Sequence, residues 1–119
     1  MPKEQAQVEC RIRVRRGEDI AVGPGKIELL SAIREAGSIS GAARKMGMSY
    51  RRAWLLVETM NSCFVSPLVS TATGGRAGGG AQLTEAGRKV LDDYAVLMAE
   101  VEAVANRYLE TLKANNPLR

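Results

Sequence analysis

The chain has 119 residues, of which 45% are hydrophobic. This length and composition suffice for one compact domain but not for a second large module. The chain carries 17 Lys or Arg against 13 Asp or Glu. Histidine is absent and no pair of carboxylates stands in a catalytic context, so we expect neither enzymatic activity nor a bound metal or cofactor. No apolar run is long enough for a membrane span or a secretory signal, so we expect a cytoplasmic protein that does not contact membranes.

The N-terminal segment alternates between apolar and charged residues, which predicts a half-buried strand followed by a return strand, together a hairpin over residues 8–22. The inward set is Val8, Cys10, Ile12 and Val14, and the outward set is Glu9, Arg11, Arg13 and Arg15. The arginine row could contact DNA or a second subunit, but we favour a charged outer face that protects the sheet edge. Cys10 and Cys63 each lie among apolar residues and are predicted to be buried free thiols.

Two short helices are predicted next. Residues 26–36 carry Ile27, Leu30 and Ile33 on one face, which indicates the first helix of a three-helix core. Residues 38–46 form the second helix, with Ser38 as its N-cap and an apolar face of Ile39, Ala42, Ala43 and Met46. Its alanines would let another helix cross closely, and Gly47 suits the positive φ of a sharp turn.

The third helix, predicted over residues 49–63, opens on Ser49 as N-cap. Its apolar residues Ala53, Trp54, Val57 and Met60 would anchor it to the core, leaving Tyr50, Arg51 and Arg52 in an exposed first turn. This order is typical of a helix-turn-helix, whose second helix contacts base edges from its N-terminal end. The alternative is an ordinary corner between two helices with a solvated pair of arginines.

A β-hairpin is predicted over residues 67–84, around the glycine-rich run at residues 74–80. A hairpin placed directly after a DNA-reading helix is a wing. Backbone amides beside its glycines could approach phosphates closely, and Arg76 could enter the minor groove or pair with a phosphate. A nucleotide-binding loop is excluded because Ala81-Gln82 stands where that motif needs Lys followed by Ser or Thr. A loop without a ligand is the alternative.

The C-terminal third is predicted to be one helix over residues 85–114, capped by Thr84 and about 45 Å long. A small domain cannot cover such a helix. Its apolar residues recur at alternating spacings of four and three, which favours pairing with a second copy of the chain. The predicted dimerisation residues are Val90, Tyr94, Leu97, Val101, Val104 and Tyr108.

The positive charge is concentrated in the middle of the chain. Residues 38–89 hold seven Lys or Arg against two Asp or Glu, whereas residues 90–119 hold three against five. A localised basic patch is expected where a protein neutralises phosphates of double-stranded DNA. Residues assigned to DNA binding are Ser38, Arg44, Lys45, Ser49, Tyr50, Arg51, Arg52, Thr73, Gly74, Gly75 and Arg76.

Residues 23–54, the Met60-Asn61 pair and the glycine-rich segment over residues 67–87 together resemble the N-terminal DNA-binding domain of ModE-type, molybdate-responsive transcriptional regulators, which are related to the LysR type. The resemblance covers residues 12–108 and implies a homodimeric bacterial transcription factor. It implies a winged helix-turn-helix fold, mainly α with small β, with an N-terminal hairpin and a long C-terminal dimerisation helix. It also places Ser49 to Arg52 at the start of the reading helix and Thr73 to Arg76 in the wing.

Full-length members of that family carry paired molybdate-binding barrels after this domain, and the present sequence stops at Arg119. The start at Met1 and the final residues favour a complete single-domain protein, which would act without an oxyanion or take its signal from a partner protein. A fragment of a longer protein is the alternative. We do not expect molybdate at the wing, because such a site would be open, solvated and served by one arginine.

Two functions of different class are compatible with these features. The first is a sequence-specific DNA-binding regulator that acts as a homodimer on an inverted-repeat operator. The second is a protein-interaction or scaffold module built on a winged helix. The basic surplus and the exposed Tyr50-Arg51-Arg52 triplet favour DNA.

Overall fold

The computed structural model describes residues 5–72 and 80–119, which form four helices and two small antiparallel hairpins. This is the predicted fold class, mainly helical with a winged helix-turn-helix, and it is confirmed. In chain order the elements are β1 (Val14–Arg16), β2 (Asp19–Val22), α1 (Pro24–Ala36), α2 (Ile39–Met46), α3 (Tyr50–Ser62), β3 (Val69–Thr71), β4 (Ala81–Leu83) and α4 (Glu85–Asn115).

The core lies where α1, α2 and α3 meet the second hairpin and the first turns of α4. Its least exposed large side chains are Leu29, Leu30, Ile33, Met60 and Leu68. Fully burying a side chain of this size contributes about 1.5–3 kcal/mol. Ala42, Ala43 and Ala53 are buried in the same cluster, and their small side chains permit α2 and α3 to cross closely.

Helix α1 begins at Pro24, two residues before the predicted start, because proline is well tolerated in the first turn of a helix, where no backbone donor is needed. It ends at Gly37, which has a φ of 72° and donates its backbone N–H to the Ile33 carbonyl at 2.8 Å. The carbonyl of Gly37 also accepts a hydrogen bond from the Ala81 N–H at 3.0 Å. The end of α1 is therefore joined directly to β4.

The N-terminal hairpin is shorter than the prediction of residues 8–22. A bulge at Val14/Arg15 shifts the register, so that Val14 is opposite Val22 and Arg15 is opposite Ile20. The bulge breaks the predicted alternation, and Val14 is 52% exposed instead of facing inward. Val8, Cys10 and Ile12 are half-buried on a segment without regular structure.

Helix α4 has 31 residues and extends beyond the core, which gives the molecule a longest dimension of 61 Å. Tyr94 of α4 donates its hydroxyl hydrogen to the carbonyl of Ile12 at 2.8 Å, which fastens the N-terminal segment to this helix. Within residues 5–72 and 80–119, no helix is both long and apolar enough to cross a membrane.

Gly87, in the first turn of α4, lies against the backbone of Leu68, the residue directly before β3. A Cβ added at Gly87 would overlap the Leu68 carbonyl oxygen and lie 3.0 Å from the carbonyl carbon. We expect Gly87→Ala to lower the free energy of unfolding by about 1–3 kcal/mol, as overpacking does in other cores. Urea denaturation measures the change.

The matched control is Gly25→Ala in α1, where an added Cβ meets no atom within 4 Å. Alanine is favoured over glycine in helices, so this variant should be as stable as wild type or up to about 1 kcal/mol more stable. Equal stability of the two variants would contradict the close packing of α4 on Leu68.

Candidate nucleic-acid interface

The turn between α2 and α3 is closed by backbone hydrogen bonds. Gly47 has a φ of 68°, and its N–H binds the Arg44 carbonyl at 3.2 Å while the Met48 N–H binds the Ala43 carbonyl at 2.9 Å. This is the pattern of a helix that ends on a left-handed residue, where glycine avoids the steric cost of a side chain. The turn fixes the angle at which α3 leaves α2.

Ser38 and Ser49 cap the two helices of the motif. The Ser38 hydroxyl accepts a hydrogen bond from the Gly41 N–H at 2.9 Å, and the Ser49 hydroxyl accepts one from the Arg52 N–H at 3.1 Å. A side-chain cap of this kind contributes about 1 kcal/mol to helix stability. Both serines assigned to DNA binding therefore have a structural role in placing α2 and α3.

The first turn of α3 is exposed. Ala53, Val57 and Met60 bury one side of the helix, while Tyr50, Arg51 and Arg52 lie together in solvent. Among the residues that the structure describes, neither arginine takes part in an ion pair. Their guanidinium groups, which present donors in a fork that matches phosphates and guanine edges, are thus available to a partner.

The prediction that Trp54 anchors α3 to the core is wrong. Trp54 is 40% exposed because it follows the buried Ala53 by one residue, which rotates it to the flank of the helix. Leu55 is also exposed, at 44%, and sequence reasoning did not assign it a role. Helical spacing alone could have placed Leu55 on the same side as Arg51, since they are four residues apart.

The two cations at the end of α2 differ in environment. Lys45 forms an ion pair with Glu35 of α1, whereas Arg44 is exposed and takes part in none of the ion pairs found in the described part of the chain. A surface ion pair of this type is worth at most about 1 kcal/mol. Lys45 is therefore already engaged within the chain, and Arg44 is the more available of the two.

The second hairpin, β3 and β4, follows α3 directly, as the wing of a winged helix-turn-helix does. Val69 pairs with Leu83 and Thr71 with Ala81, and the Ala72 N–H extends the ladder to the Gly80 carbonyl at 2.9 Å. Within the predicted span of residues 67–84, the structure describes the strands Val69–Thr71 and Ala81–Leu83. The residues assigned to its tip, Thr73, Gly74, Gly75 and Arg76, lie outside the described residues.

Asn61 connects α3 to the wing, and sequence reasoning assigned it no structural role. Its side-chain oxygen accepts hydrogen bonds from the N–H groups of Leu68 and Val69 at 2.8 and 3.2 Å, and its amide donates to the Val69 carbonyl at 3.1 Å. One half-buried side chain thus satisfies three backbone groups at the start of β3. A polar residue directly after the last apolar residue of α3, Met60, was the available signal.

The predicted dimerisation residues divide into two sets. Val90, Tyr94 and Val101 are half-buried within the chain, and the Tyr94 hydroxyl is occupied by Ile12. Leu97, Val104 and Tyr108 are exposed and spaced by seven and four residues, so they form one stripe along α4. These three residues are the α4 stripe.

An open cleft of about 530 Å³ lies between the end of α1 and the second hairpin. Two arginines line it, but Arg88 donates to the Leu83 carbonyl at 3.0 Å and Arg34 lies 3.9 Å from a carboxylate oxygen of Asp92.

The two cysteines, Cys10 and Cys63, were predicted to be buried; they are half-buried, and both are free thiols. In the described segments no cluster of three His, Cys, Asp or Glu residues is placed to bind a metal.

Removal of the Asn61 side chain should loosen the wing. We expect Asn61→Ala to lower the free energy of unfolding by about 1–3 kcal/mol, because it leaves part-buried backbone groups of Leu68 and Val69 without partners. Thermal denaturation followed by circular dichroism tests this. The control is Ser62→Ala, which removes one exposed hydroxyl bound to its own helix at the Thr59 carbonyl. Equal losses of stability in Asn61→Ala and Ser62→Ala would contradict this role of Asn61.

Comparison with known proteins agrees with the geometry. A family model for bacterial regulatory helix-turn-helix proteins of the lysR family matches residues 25–88. The chain is 43% identical over 91 residues to the molybdenum-pterin-binding protein MopB of Rhodobacter capsulatus, a match that covers 76% of this chain and 34% of that protein.

Two further relatives carry the name ModE. The molybdenum transport protein ModE of Azotobacter vinelandii is 41% identical over 77% of this chain and 34% of its own length. The DNA-binding transcriptional dual regulator ModE of Escherichia coli K12 is 36% identical over 83% of this chain and 37% of its own length. The predicted resemblance to ModE-type regulators is confirmed, and the chain spans about a third of the length of these relatives.

Proposed function

The chain belongs to the lysR family of bacterial regulatory helix-turn-helix proteins, and we propose that it is a sequence-specific transcriptional regulator that binds an inverted-repeat operator as a homodimer. The observation that carries the proposal is the first turn of α3. Tyr50, Arg51 and Arg52 are exposed there, at the N-terminal end of the second helix of the motif, which contacts base edges in other helix-turn-helix proteins.

The charge of the described surface supports this function. Arg44, Arg51 and Arg52 lie close in sequence around the turn of the motif and are exposed, and the ion pairs of the described residues leave all three unengaged. Phosphate contacts from such cations position a protein on DNA, and base contacts then provide specificity. We propose that Arg76, with its flanking glycines, adds a wing contact to the backbone or the minor groove.

The α4 stripe supports a homodimer. Leu97, Val104 and Tyr108 are 39%, 57% and 65% exposed on a helix that extends away from the core. Exposed apolar residues that recur at spacings of seven and four lie on one side of a helix, as in helices that pair. Two copies joined in this way would present two α3 helices to successive major grooves, which is why we expect an inverted repeat.

The names of the similar proteins mention molybdenum as well as transcription. The matched region covers about a third of each of them and includes the helix-turn-helix, so DNA binding is the property that we carry over to this chain. We propose no molybdate-dependent step for the described residues. The cleft beside the wing is open, and its two arginines already have partners within the chain.

Replacement of the α3 arginines tests base reading. DNA enriched by the wild-type protein from a genomic library is compared with a scrambled sequence by filter binding at two salt concentrations. Arg51→Ala or Arg52→Ala, or both, should lose about 1–3 kcal/mol of discrimination between the two DNAs, because bidentate contacts to guanine are lost.

The control for this experiment is Arg107→Ala, which removes an exposed arginine from the acidic C-terminal third. It should leave discrimination unchanged. If both α3 variants weaken binding equally for enriched and scrambled DNA, α3 contacts phosphates and does not read the sequence. If the wild-type protein enriches no DNA, the winged helix serves another partner, such as a protein.

Charge placed in the α4 stripe tests the dimer. Leu97→Asp with Val104→Asp should give a monomer that keeps its helical content but binds operator DNA at least tenfold more weakly, since like charges would meet at the pairing surface. The matched control is Ala99→Asp with Asn106→Asp, an exposed pair with the same spacing on the opposite side of α4. Sedimentation at micromolar concentration reports the mass, and a wild-type mass of about 12.8 kDa would disprove the dimer.

A further inference from the structure

Exposed apolar side chains are concentrated on two helices of the described chain. Leu97, Val104 and Tyr108 form the α4 stripe, while Tyr50, Trp54 and Leu55 are exposed within six residues of α3. A single exposed leucine is common on protein surfaces and needs no explanation. Three large apolar or aromatic side chains around an arginine pair, on the helix assigned to DNA reading, indicate a surface that is covered when DNA is bound.

Leu55 lies at the centre of that surface. At about 100° of rotation per residue, Arg51 and Leu55 point in nearly the same direction, opposite the side formed by the buried Ala53, Val57 and Met60. Trp54 and Arg52 lie on the two flanks. When α3 enters a groove with its buried side toward the protein, Leu55 therefore points at the floor of the groove and not at the phosphates along its edges.

The surroundings of Leu55 form a shallow depression of about 320 Å³. It is lined by Ser49, Arg51, Arg52, Leu55, Leu56 and Thr59. The leucine side chain has no hydrogen-bond donor or acceptor, so it cannot read the polar edge of any base. The one apolar group that the major groove presents is the C5 methyl of thymine.

We propose that Leu55 is a specificity-determining residue that contacts the C5 methyl group of a thymine in each half-site, one helical turn along α3 from the base or phosphate contacted by Arg51. The inference rests on the proposed DNA-binding function and adds to it the identity of a base. Burial of one methyl group against Leu55 should favour thymine over uracil by roughly fourfold at that position.

Thymine-to-uracil substitution is the direct test, because it removes only the methyl group. DNA enriched by the wild-type protein is synthesised with each thymine replaced in turn by deoxyuridine, and each duplex is titrated with wild type, Leu55→Ala and Val65→Ala. Val65 is a fully exposed aliphatic residue outside α3 and serves as the matched control. Leu55 is not part of the buried core, so its truncation should leave the fold intact, which a thermal melt checks.

The expected result is a loss of roughly fourfold at one or more thymines of each half-site for wild type and Val65→Ala, and no loss at those positions for Leu55→Ala. Uracil tolerated at every position by the wild type, or the same loss in Leu55→Ala as in wild type, would overturn the role of Leu55 while leaving the DNA-binding function in place. Failure of the wild-type protein to enrich any DNA would overturn the proposed function, and this inference with it.

Discussion

The backbone of Leu68 is the point on which the arrangement of the molecule depends. Its N–H is bound by the Asn61 side chain of α3 at 2.8 Å, and its carbonyl accepts the Thr84 N–H at 2.9 Å. The Thr84 hydroxyl, which caps α4, also donates to the Pro67 carbonyl at 2.7 Å. Because Gly87 has no side chain, α4 packs directly against the Leu68 backbone. These contacts join the end of α3, the base of the wing and the start of α4 at the edge of the core, into which the Leu68 side chain is buried with 1% exposure.

These contacts fix the C-terminal end of α3 in position while its N-terminal end is exposed to solvent. The last turn of α3 is held by Asn61 and Met60, whereas its first turn, with Tyr50, Arg51 and Arg52, has no cover from the described chain. The start of α4 is fixed to the same point, so the direction of α4 is set relative to α3. In the proposed dimer, the pairing of two α4 helices would therefore determine the separation and angle of the two reading helices, and with them the spacing of the operator half-sites.

The sequence predicted the helices well because their signals are local. Ser38, Ser49 and Thr84 were identified as N-caps and Gly47 as the turn, and each depends on neighbours within a few residues. Two side chains lie differently from the prediction. The bulge at Val14/Arg15 leaves Val14 exposed, and Trp54 lies on the flank of α3, one residue after the buried Ala53. The hydrogen bond between Tyr94 and Ile12 joins residues 82 positions apart, which periodicity does not reveal. A polar residue directly after Met60 singles out Asn61, but its partners Leu68 and Val69 could not be predicted, since they follow a loop whose path periodicity does not specify.

Two copies of this chain are proposed to read two symmetric half-sites with α3. Hydroxyl-radical footprinting of the wild-type protein on a genomic fragment that it retains is the most direct measurement. We expect two protected patches in inverted orientation, with centres separated by about one helical turn of DNA, roughly 34 Å, or a multiple of it. A single protected patch without an inverted repeat, or uniform weak protection along the fragment, would contradict it.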